Sequence, residues 1–401
     1  MKKKIIIVNK FFYERGGDCI YTINLKHLLE QQNHKVAIFA MQYADNINSE
    51  WEVYYPSEVS FTGSLKNKIL AASRTLGFNG VKKSFINLLE NFKPDIVHLN
   101  NIHSYISPLV AKLAHDRGIK VVWTLHDYKL LCPSYTFLRN NKICELCFHS
   151  PLSVLTNKCM KKSWSASTIA YIEAKRWRKE WIEAYVDAFI CPSKFISDKM
   201  RLGGYNKKKL YVLCNFIEIN KNFTYYHKTS SREQAYCYIG RISKEKGVNQ
   251  LLKIASTLPY KLYVAGDGPL KESLERKYAN ENIVFLGKIN SEEVNILLRS
   301  VRFSVTPSIW YENNPLCVIE SLCMGTPVLS ANIGGLPELV NNKNGLLFNP
   351  NNPEDLKEKI IFFFKEYPFD NDIIQNNSIK RFSPKNYYSK LIDIYNFTFK
   401  Q

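Results

Sequence analysis

Short apolar runs alternate along the chain with longer stretches whose apolar residues recur at helical spacing. The first run, "KKIIIV", predicts a strand, and the stretch from about Cys19 to Gln32 predicts the helix that follows it. The runs "KVAIFA", "DIVHL", "KVVWTL" and "DAFICPS" predict further strands. Strands that alternate with helices favour parallel sheets covered by helices, so the predicted fold class is α/β.

The same pattern starts again in the second half, with "AYCYIGRI", "YKLYVAGDG", "NIVFLGKI", "RFSVTPS" and "TPVLSA". Between the halves, residues 216–232 lack apolar periodicity, which places a joint there. We therefore predict one domain over 1–215 and a second over 216–380. A last helix, from about Pro384 within 381–401, is rich in Tyr and Phe, and we expect it to pack back across the joint.

Charge and length narrow the class of protein. The 401 residues suffice for two domains. The formal net charge of +19 favours anionic partners such as nucleic acid, a phospholipid surface or phosphorylated ligands. The apolar run Ile5 to Val8 is too short for an export signal, and no stretch reaches the length of a spanning helix. We expect a cytoplasmic protein, either free or peripheral at the inner face of a membrane, whose ten cysteines are thiols or metal ligands.

Several loops at predicted strand ends carry residues suited to ligands, because doubly wound sheets bind ligands at the carboxyl ends of strands. Gly16 and Gly17 follow the first strand and precede a helix, so their backbone could approach a phosphate; a plain turn is equally compatible. His126 and Asp127 end another strand. A lone histidine is more often structural, but this position favours ligand contact.

The first loop of the second half carries a glycine and two cations. Gly240, Arg241 and Lys246 lie in "GRISKEKG", directly after a strand. Arginine offers a planar fork and lysine a mobile point charge, a combination that suits a diphosphate. The alternative is a solvated basic loop.

Two acids with seven residues between them flank a predicted helix start in "WYENNPLCVIESLCMG". Pro315 suits the first turn of a helix, and the free N–H groups from Leu316 onward can face an anion. Glu312 precedes that end, and Glu320 lies about a turn and a half inside. Carboxylates accept hydrogen bonds from vicinal hydroxyls. An acid near a helix N-terminus is electrostatically favourable anyway, which could explain Glu312 but not Glu320.

The acidic stretch and "GTPVLSANIGGLPELVNNKNGLLF" after it resemble the signature of retaining glycosyltransferases of family 4. The resemblance covers nearly the whole chain and includes "RGG", "LHDY", "CPSKFISDKM", "GRISKEKG", "AGDGP" and "VFLG" in this order. It implies the GT-B fold, in which two facing Rossmann-like domains hold the active site in their cleft. It also implies that the donor is a nucleotide-diphosphate sugar.

The resemblance assigns roles to individual residues. Glu320 would hold the donor ribose, and Arg241 and Lys246 would neutralise the diphosphate leaving group. Gly17, beside Gly16, would approach that diphosphate from the other domain. His126 would contact a sugar hydroxyl. The sugar and diphosphate would be held by Glu312 and the backbone of Asn313, Asn314, Pro315 and Leu316.

The resemblance also implies that the loop containing Gly287 and Lys288 contacts the base, and that Gly240 belongs to the donor site. In this family the transferred sugar keeps its anomeric configuration and the chemistry needs no metal. Arg241, Lys246 and a helix N-terminus can stabilise charge on the leaving phosphate, which agrees with a metal-free reaction. The acceptor would be a saccharide or a lipid-linked saccharide, as in surface polysaccharide biosynthesis.

Four cysteines in the segment 132–159 follow the pattern C-x11-C-x2-C-x11-C. Cys132, Cys144, Cys147 and Cys159 could form a structural zinc site that pins a loop after His126. Redox-sensitive thiols and unrelated buried cysteines are the alternatives.

Basic residues border aromatic ones in two stretches of the first half. Trp177, Trp181 and Tyr185 recur at steps of four and would share one helical face, with Lys and Arg beside them. The second stretch is "KNKILAASRTLGFNGVKKSF". A core-packed helix with a solvated basic face explains this pattern, whereas the functional alternative is contact with an anionic membrane surface.

Two other functions compete with sugar transfer. A glycoside hydrolase would need Glu312 and Glu320 on either side of one glycosidic bond, whereas here they flank a predicted phosphate site. A nucleic-acid-binding protein fits the charge, yet the chain carries no recognition-helix motif or stacking platform of the known modules. We therefore expect no nucleic-acid partner.

Overall fold

The computed structural model describes residues 2–78, 80–218 and 232–400, which form two compact units. The first unit comprises Met1–Phe137, Cys144–Cys214 and Tyr387–Gln401. The second comprises Leu138–Ile143 and Asn215–Asn386. The predicted boundaries differ at three places, since residues 138–143, Asn215 and residues 381–386 group with the second unit. Most of the predicted joint, 219–231, lies outside the described residues.

The first unit is built on a six-stranded parallel sheet with the order β2-β1-β3-β4-β7-β8. The chain's first eight strands are β1 (Lys4–Val8), β2 (Lys35–Phe39), β3 (Ile96–Leu99), β4 (Lys120–Thr124), the two-stranded antiparallel hairpin β5 (Leu138–Arg139) and β6 (Lys142–Ile143), β7 (Ala188–Cys191) and β8 (Leu210–Val212). β3 and β7 are buried along their whole length, because helices cover the sheet, and this explains their continuous apolar sequences.

Helices follow the strands of the first unit as the apolar spacing predicts. They are α1 (Gly17–Gln31), α2 (Leu65–Thr75), α3 (Val81–Phe92), α4 (Leu109–His115), α5 (Ser153–Thr156), α6 (Trp164–Arg176), α7 (Lys179–Tyr185) and α8 (Lys194–Leu202). One predicted helix proves to be two. The stretch that contains Trp177, Trp181 and Tyr185 breaks between α6 and α7, with Trp177 at the C-cap of α6.

The second unit also has a six-stranded parallel sheet, with the order β11-β10-β9-β12-β13-β14. Its strands are β9 (Glu233–Ile239), β10 (Lys261–Ala265), β11 (Ile283–Gly287), β12 (Val301–Thr306), β13 (Val328–Ala331) and β14 (Gly345–Phe348). Counted within the unit, the order is 3-2-1-4-5-6, the doubly wound order of dinucleotide-binding sheets. The strand order reverses between β9 and β12, and ligands bind at such a reversal.

The helices of the second unit cover both faces of this sheet. They are α9 (Val248–Ala255), α10 (Lys271–Tyr278), α11 (Ser291–Ser300), α12 (Leu316–Cys323), α13 (Pro353–Lys365) and α14 (Asn371–Phe382). Local sequence fixes some of their ends. For example, Asn290 and Glu293 form a capping box at the start of α11, in which each side chain accepts a backbone N–H of the other.

The last helix, α15 (Pro384–Thr398), returns to the first unit. Tyr395 Oη lies 2.6 Å from Nδ1 of the buried His98 on β3. Tyr388 Oη lies 2.9 Å from His34 Nε2, and the Tyr387 hydroxyl bonds to that of Tyr21 on α1. The aromatic residues that mark this helix in the sequence therefore supply its polar contacts as well as its packing.

Of the helices within the described ranges, none combines the length and the apolar character that crossing a bilayer requires.

Candidate functional site

The second unit brings its charged loops together where the strand order reverses. β9 and β12 are parallel neighbours, so the chain leaves both at the same edge of the sheet. The loop after β9 carries Arg241 and Lys246, and the loop after β12 carries Glu312. The predicted cations and the first predicted acid therefore start from adjacent strands.

Lys246 and Glu312 form an ion pair between these two loops. Lys246 Nζ lies 2.7 Å from Glu312 Oε1, and Trp310 Nε1 donates to the same oxygen at 2.8 Å. The Ser308 hydroxyl also donates to Oε1. No described residue donates to Oε2. The protein thus holds one oxygen of the carboxylate with three donors and leaves the other available to a ligand hydroxyl.

Sequence reasoning missed two of these donors. Ser308 and Trp310 stand four and two residues before Glu312 in "SIWYE", so the signal was present as a hydroxyl and an indole close to an acid. The Lys246 ammonium also lies 5.1 Å from the centre of the Trp310 ring, which adds a cation–π attraction. Trp310 therefore positions both members of the pair.

The two members of the pair stabilise each other's charged form. Burial alone would raise the pKa of Glu312, but the charge of Lys246 and the hydrogen bonds from Lys246, Ser308 and Trp310 together lower it below the usual range. Burial would lower the pKa of Lys246, but Glu312 raises it above its usual value. The stability from the pair is therefore present at neutral pH. It is lost as the pH falls through the folded pKa of Glu312, or rises through that of Lys246.

Glu320 is a half-buried acid on α12 whose helical neighbours are mostly apolar. Within the described part of the chain, its carboxylate has no hydrogen bond and no ion pair. Burial raises the pKa of Glu320 to about 7. An acid held in this way costs folding stability, and such groups are more often found at functional sites than elsewhere.

The N-terminus of α12 lies between the two acids. The helix begins at Leu316, one residue later than the sequence predicted, and Pro315 is its N-cap with φ −69° and ψ 129°. The first N–H groups of the helix have no acceptor inside it. Asn215, which sequence reasoning also missed, anchors this end: its N–H donates to Asn314 Oδ1 at 3.0 Å, and its Nδ2 donates to Asn314 O at 2.8 Å. Asn313 lies in the same loop.

Two glycines let neighbouring loops approach the ion pair. Gly247 has φ +70°, and a Cβ there would lie 1.8 Å from Pro307 O. Gly334 has φ +62°, and a Cβ there would lie 2.3 Å from Glu312 O. Only glycine fits both the backbone conformation and the space at these positions.

The remaining predicted donor residues of this unit lie along the same sheet edge. Gly240 and Arg241 follow β9, Gly287 ends β11, and Lys288 comes next. The side chains of Arg241 and Lys288 are exposed and have no hydrogen-bond or ion-pair partner among the described residues. Gly266 N–H donates to Gly287 O at 2.7 Å, which ties the ends of β10 and β11 together.

His126 belongs to the first unit, at the carboxyl end of β4. Its Nε2 lies 3.0 Å from Asn100 Oδ1, and Asn100 Nδ2 donates to Thr22 Oγ1 at 3.2 Å. Because this second bond orients the amide, His126 donates from Nε2 and keeps Nδ1 as an acceptor. Burial lowers the pKa of His126 to about 4, so the ring is neutral at pH 7. The ring also packs edge-on against Tyr21, at 4.7 Å between centres.

Gly16 and Gly17 lie at the start of α1, after β1. Gly16 is the N-cap in an extended conformation, φ −166°. A Cβ on Gly16 would come no closer than 3.6 Å to the nearest atom, Asp18 Oδ1. Neither packing nor backbone conformation within the described residues therefore requires glycine at position 16, so approach of a ligand to this loop stays a prediction.

The four cysteines of the 132–159 segment, all within the described residues, form no disulfide, and the Cys132 and Cys147 side chains are hydrogen-bonded. A hydrogen bond from Cys147 lowers the pKa of Cys132 to about 6. No three His, Cys, Asp or Glu side chains in residues 2–78, 80–218 and 232–400 are grouped so as to hold a metal ion. The structural-metal hypothesis for Cys132, Cys144, Cys147 and Cys159 stays a prediction. Metal analysis of the purified protein and its Cys→Ser variants tests it, and an absence of stoichiometric zinc or iron would contradict it.

The aromatic residues of the first basic stretch face inward. Trp177 is buried and its Nε1 donates to Thr75 O at 2.8 Å. Trp181 packs between Trp177 and Tyr185, at 4.7 Å from each ring centre. This stretch therefore matches a packed helical pair with a solvated basic face.

Two family models match the chain. The model "Glycosyltransferase Family 4" covers residues 15–221, just over half of the chain. The model "Glycosyl transferases group 1" covers residues 221–380, which include the Lys246–Glu312 pair and Glu320.

Individual relatives agree with these models. An uncharacterized 42.6 kDa protein in the cps region of Klebsiella pneumoniae is 26% identical over 84% of this chain and 87% of its own. The alpha-monoglucosyldiacylglycerol synthase of Streptococcus pneumoniae is 24% identical over 84% of this chain and 73% of its own. The solved structure of Anabaena HepE with UDP-glucose has a TM-score of 0.66 at 16% identity, with 98% of each chain covered. This protein is accordingly a member of glycosyltransferase family 4, and it has the GT-B fold that the sequence predicts.

Proposed function

We propose that this glycosyltransferase moves a sugar from a nucleotide-diphosphate sugar to a saccharide or lipid-linked saccharide, and that the sugar keeps its anomeric configuration. One observation carries the proposal. At the strand reversal of the second unit, Glu312 is held through Oε1 alone, beside the N-terminus of α12 and beside Lys246. A site that offers a cation, helix N–H groups and a free carboxylate oxygen suits a diphosphate joined to a sugar.

Each part of the donor would meet a different group. Lys246, the exposed Arg241 and the first N–H groups of α12 would hold the diphosphate. Glu312 Oε2 would accept a hydroxyl of the transferred sugar. The unpartnered Glu320 would accept the two ribose hydroxyls, and the backbone at Gly287 and Lys288 would meet the base. The UDP-glucose bound to HepE supports a donor of this class.

The reaction would depend on charge stabilisation rather than on a protein base. Departure of the nucleotide diphosphate leaves negative charge on its β-phosphate, and Arg241 and Lys246 are the cations placed to stabilise it. They would supply what a divalent metal supplies in other transferases. The leaving phosphate would take the proton of the attacking acceptor hydroxyl on the same face of the sugar. His126, neutral at pH 7, would position a sugar hydroxyl rather than remove a proton.

The acceptor belongs, in our proposal, to surface polysaccharide biosynthesis. The relative in the cps region of Klebsiella pneumoniae supports this assignment. The Streptococcus pneumoniae relative is named for the synthesis of a diacylglycerol derivative, which supports a lipid component in the acceptor. A lipid-linked saccharide would combine both features.

Thermal-shift measurements with UDP, GDP and ADP test the donor site. We expect one of these nucleotides to raise the melting temperature, because a ligand that binds only the folded state stabilises it. Arg241→Ala and Glu320→Ala should abolish that rise, since they remove a diphosphate contact and the ribose acceptor. Lys400→Ala, a change at the far end of the chain, is the control. If no nucleotide protects the unmodified protein, the proposal fails.

The affinity for UDP-glucose should rise as the pH passes upward through about 7, if UDP is the protecting nucleotide. The empty site holds Glu320 with a raised pKa, whereas a bound diol donates to the ionised form and lowers that pKa. Binding therefore releases a proton below this pH, and affinity levels off above it. Glu320→Gln should bind more weakly and show no such slope. Calorimetric titration with UDP-glucose on both sides of pH 7 measures the affinity. The same dependence of affinity on pH in Glu320→Gln would contradict the assignment to Glu320.

We also propose that the protein associates with the inner face of an anionic membrane through the second basic stretch. Leu65 and Ile69 on α2 are 73% and 61% exposed, with Lys66 and Lys68 beside them. Such a surface suits a headgroup region. Co-sedimentation with phosphatidylglycerol vesicles should fall in Ile69→Glu but not in Ile373→Glu, a change at an equally exposed site on α14. Equal binding to neutral phosphatidylcholine vesicles would contradict the proposal.

A further inference from the structure

Four aromatic residues of the first unit lie together at the carboxyl edge of its sheet. Phe11 and Tyr13 follow β1, Tyr43 follows β2, and Tyr105 follows β3. We call these four residues the aromatic cluster. β1 lies between β2 and β3, so the strand order of this sheet reverses beside the cluster. Ligands bind at such reversals in doubly wound sheets.

Phe11 is the centre of the aromatic cluster and the tyrosines surround it. Phe11 is 8% exposed, whereas Tyr13, Tyr43 and Tyr105 are half-buried. The Phe11 ring centre lies 5.8 Å from that of Tyr13, 5.1 Å from Tyr43 and 6.3 Å from Tyr105. The cluster therefore presents the edges and faces of three tyrosines around a buried phenylalanine.

The three tyrosine hydroxyls have no hydrogen-bond partner in the part of the chain that the structure describes. Packing alone would be satisfied by phenylalanine, whereas these hydroxyls stay accessible to water and so to a ligand. One buried acceptor nearby is also unsatisfied: Asn101 Oδ1 has no donor, although its Nδ2 donates to Asp18 Oδ2 at 3.0 Å. Several unused polar groups thus converge on one edge.

A small recess lies beside His126, and its lining includes Asn101 and Asp127. Asn101 O accepts the N–H of Lys10, the residue before Phe11, at 3.1 Å. Asn101 therefore links the chain segment that carries Phe11 to the recess beside His126.

Charges around the aromatic cluster are mixed rather than uniformly basic. The Arg15 guanidinium lies 4.1 Å from the Phe11 ring centre, and Lys10 Nζ lies 5.6 Å from that of Tyr105. Burial lowers the pKa of Lys10, and the carboxylates of Asp18 and Asp127 oppose this shift. Burial and the Glu58 carboxylate both raise the pKa of Tyr43. Balanced donors and acceptors suit a neutral ring with many hydroxyls better than they suit a phosphate.

We propose that the aromatic cluster binds the terminal pyranose ring of the acceptor, so that the acceptor presents a sugar rather than a bare lipid hydroxyl. This proposal rests on the transferase function given above. The apolar C–H face of the pyranose would lie on the tyrosine rings, and its hydroxyls would bond to the tyrosine hydroxyls, Asn101 Oδ1 and Lys10. Such a division between one apolar face and a few polar groups is usual in small-molecule sites.

Saturation-transfer NMR on the full chain, with and without UDP, tests the proposal. The probes are the methyl pyranosides of glucose, galactose and mannose. We expect irradiation of aromatic protons to reach the ring C–H protons of at least one probe. Tyr105→Phe should weaken the binding of that probe about fivefold, as loss of one hydrogen-bonding hydroxyl implies. Tyr105→Ala should weaken it at least about tenfold, because the stacking face is lost as well.

Tyr278→Ala is the matched control. Tyr278 is half-buried on α10, with a cation 5.0 Å from its ring centre, but lies outside the aromatic cluster. Equal probe binding in Tyr105→Ala and Tyr278→Ala would overturn the proposal, as would failure of all three pyranosides to bind. UDP binding in the same samples separates the two claims. If the unmodified protein does not bind UDP, the result counts against the transferase function. If it binds UDP but none of the pyranosides, the result counts only against acceptor binding at the aromatic cluster.

Discussion

Lys246→Met is expected to lower sugar transfer by about a thousandfold. The methionine keeps the length of the side chain but removes the charge that would stabilise the leaving diphosphate. The change also leaves Glu312 buried without its cation, which should lower the free energy of unfolding by about 3 kcal/mol. Ser308 and Trp310 still donate to Oε1 and keep the loss at the lower end of the usual range.

A second substitution separates these two effects. In the double variant Lys246→Met, Glu312→Gln the neutral amide needs no counter-charge, so most of the lost stability should return. Transfer activity should not return, because the cation and the acidic oxygen are both absent. Denaturant unfolding measures the stability, and release of nucleotide diphosphate in the presence of acceptor measures the activity. Recovery of activity together with stability would mean that Lys246 serves only to neutralise Glu312.

Gly247→Ala should disable the site through the backbone alone. A Cβ at Gly247 would lie 1.8 Å from Pro307 O, so the loop after β9 must move away from the loop after β12. Because Lys246 precedes this glycine and Ser308 follows that proline, the movement separates the ion pair. We expect transfer to fall at least about a hundredfold and the apparent free energy of unfolding to fall by about 3 kcal/mol.

Gly118→Ala is the control for the backbone conformation. Gly118 has φ +71°, close to the +70° of Gly247, but a Cβ there would meet no atom within 4 Å. It therefore carries the same left-handed penalty, about 1 kcal/mol, without the collision. Transfer should be unchanged in this variant. Similar losses of activity in both variants would show that the collision with Pro307 does not determine the geometry of the site.

The buried strands could be predicted from the sequence, because a strand covered on both faces is a continuous apolar run. "KVAIFA" and "DIVHL" are examples: the first became β2, an edge strand with four buried residues, and the second became the interior strand β3. The edge strands β8 and β14 were not predicted. They are short edge strands of three and four residues, only partly buried, so their sequences carry little signal.

Residues of the candidate site could be predicted only where residue type and neighbouring sequence mark them. Glu312 and Lys246 stood out by residue type and position, and the structure joins them at 2.7 Å across 66 residues. Asn215 could not be recognised in the same way, because its partner Asn314 lies 99 residues away and the pairing exists only in the folded chain. The break between α6 and α7 was missed because the aromatic spacing continues through it.

The return of α15 to the first unit has a consequence for folding during synthesis. The ribosome delivers residues 1–214 first, in which His98 and Tyr21 can both bond to Thr124, yet their tyrosine partners lie on α15. The nascent first unit therefore lacks its last helix until the whole second unit has been synthesised. A fragment that stops before Pro384 would expose the surface of the first unit that α15 covers, and it should depend on chaperones to stay in solution.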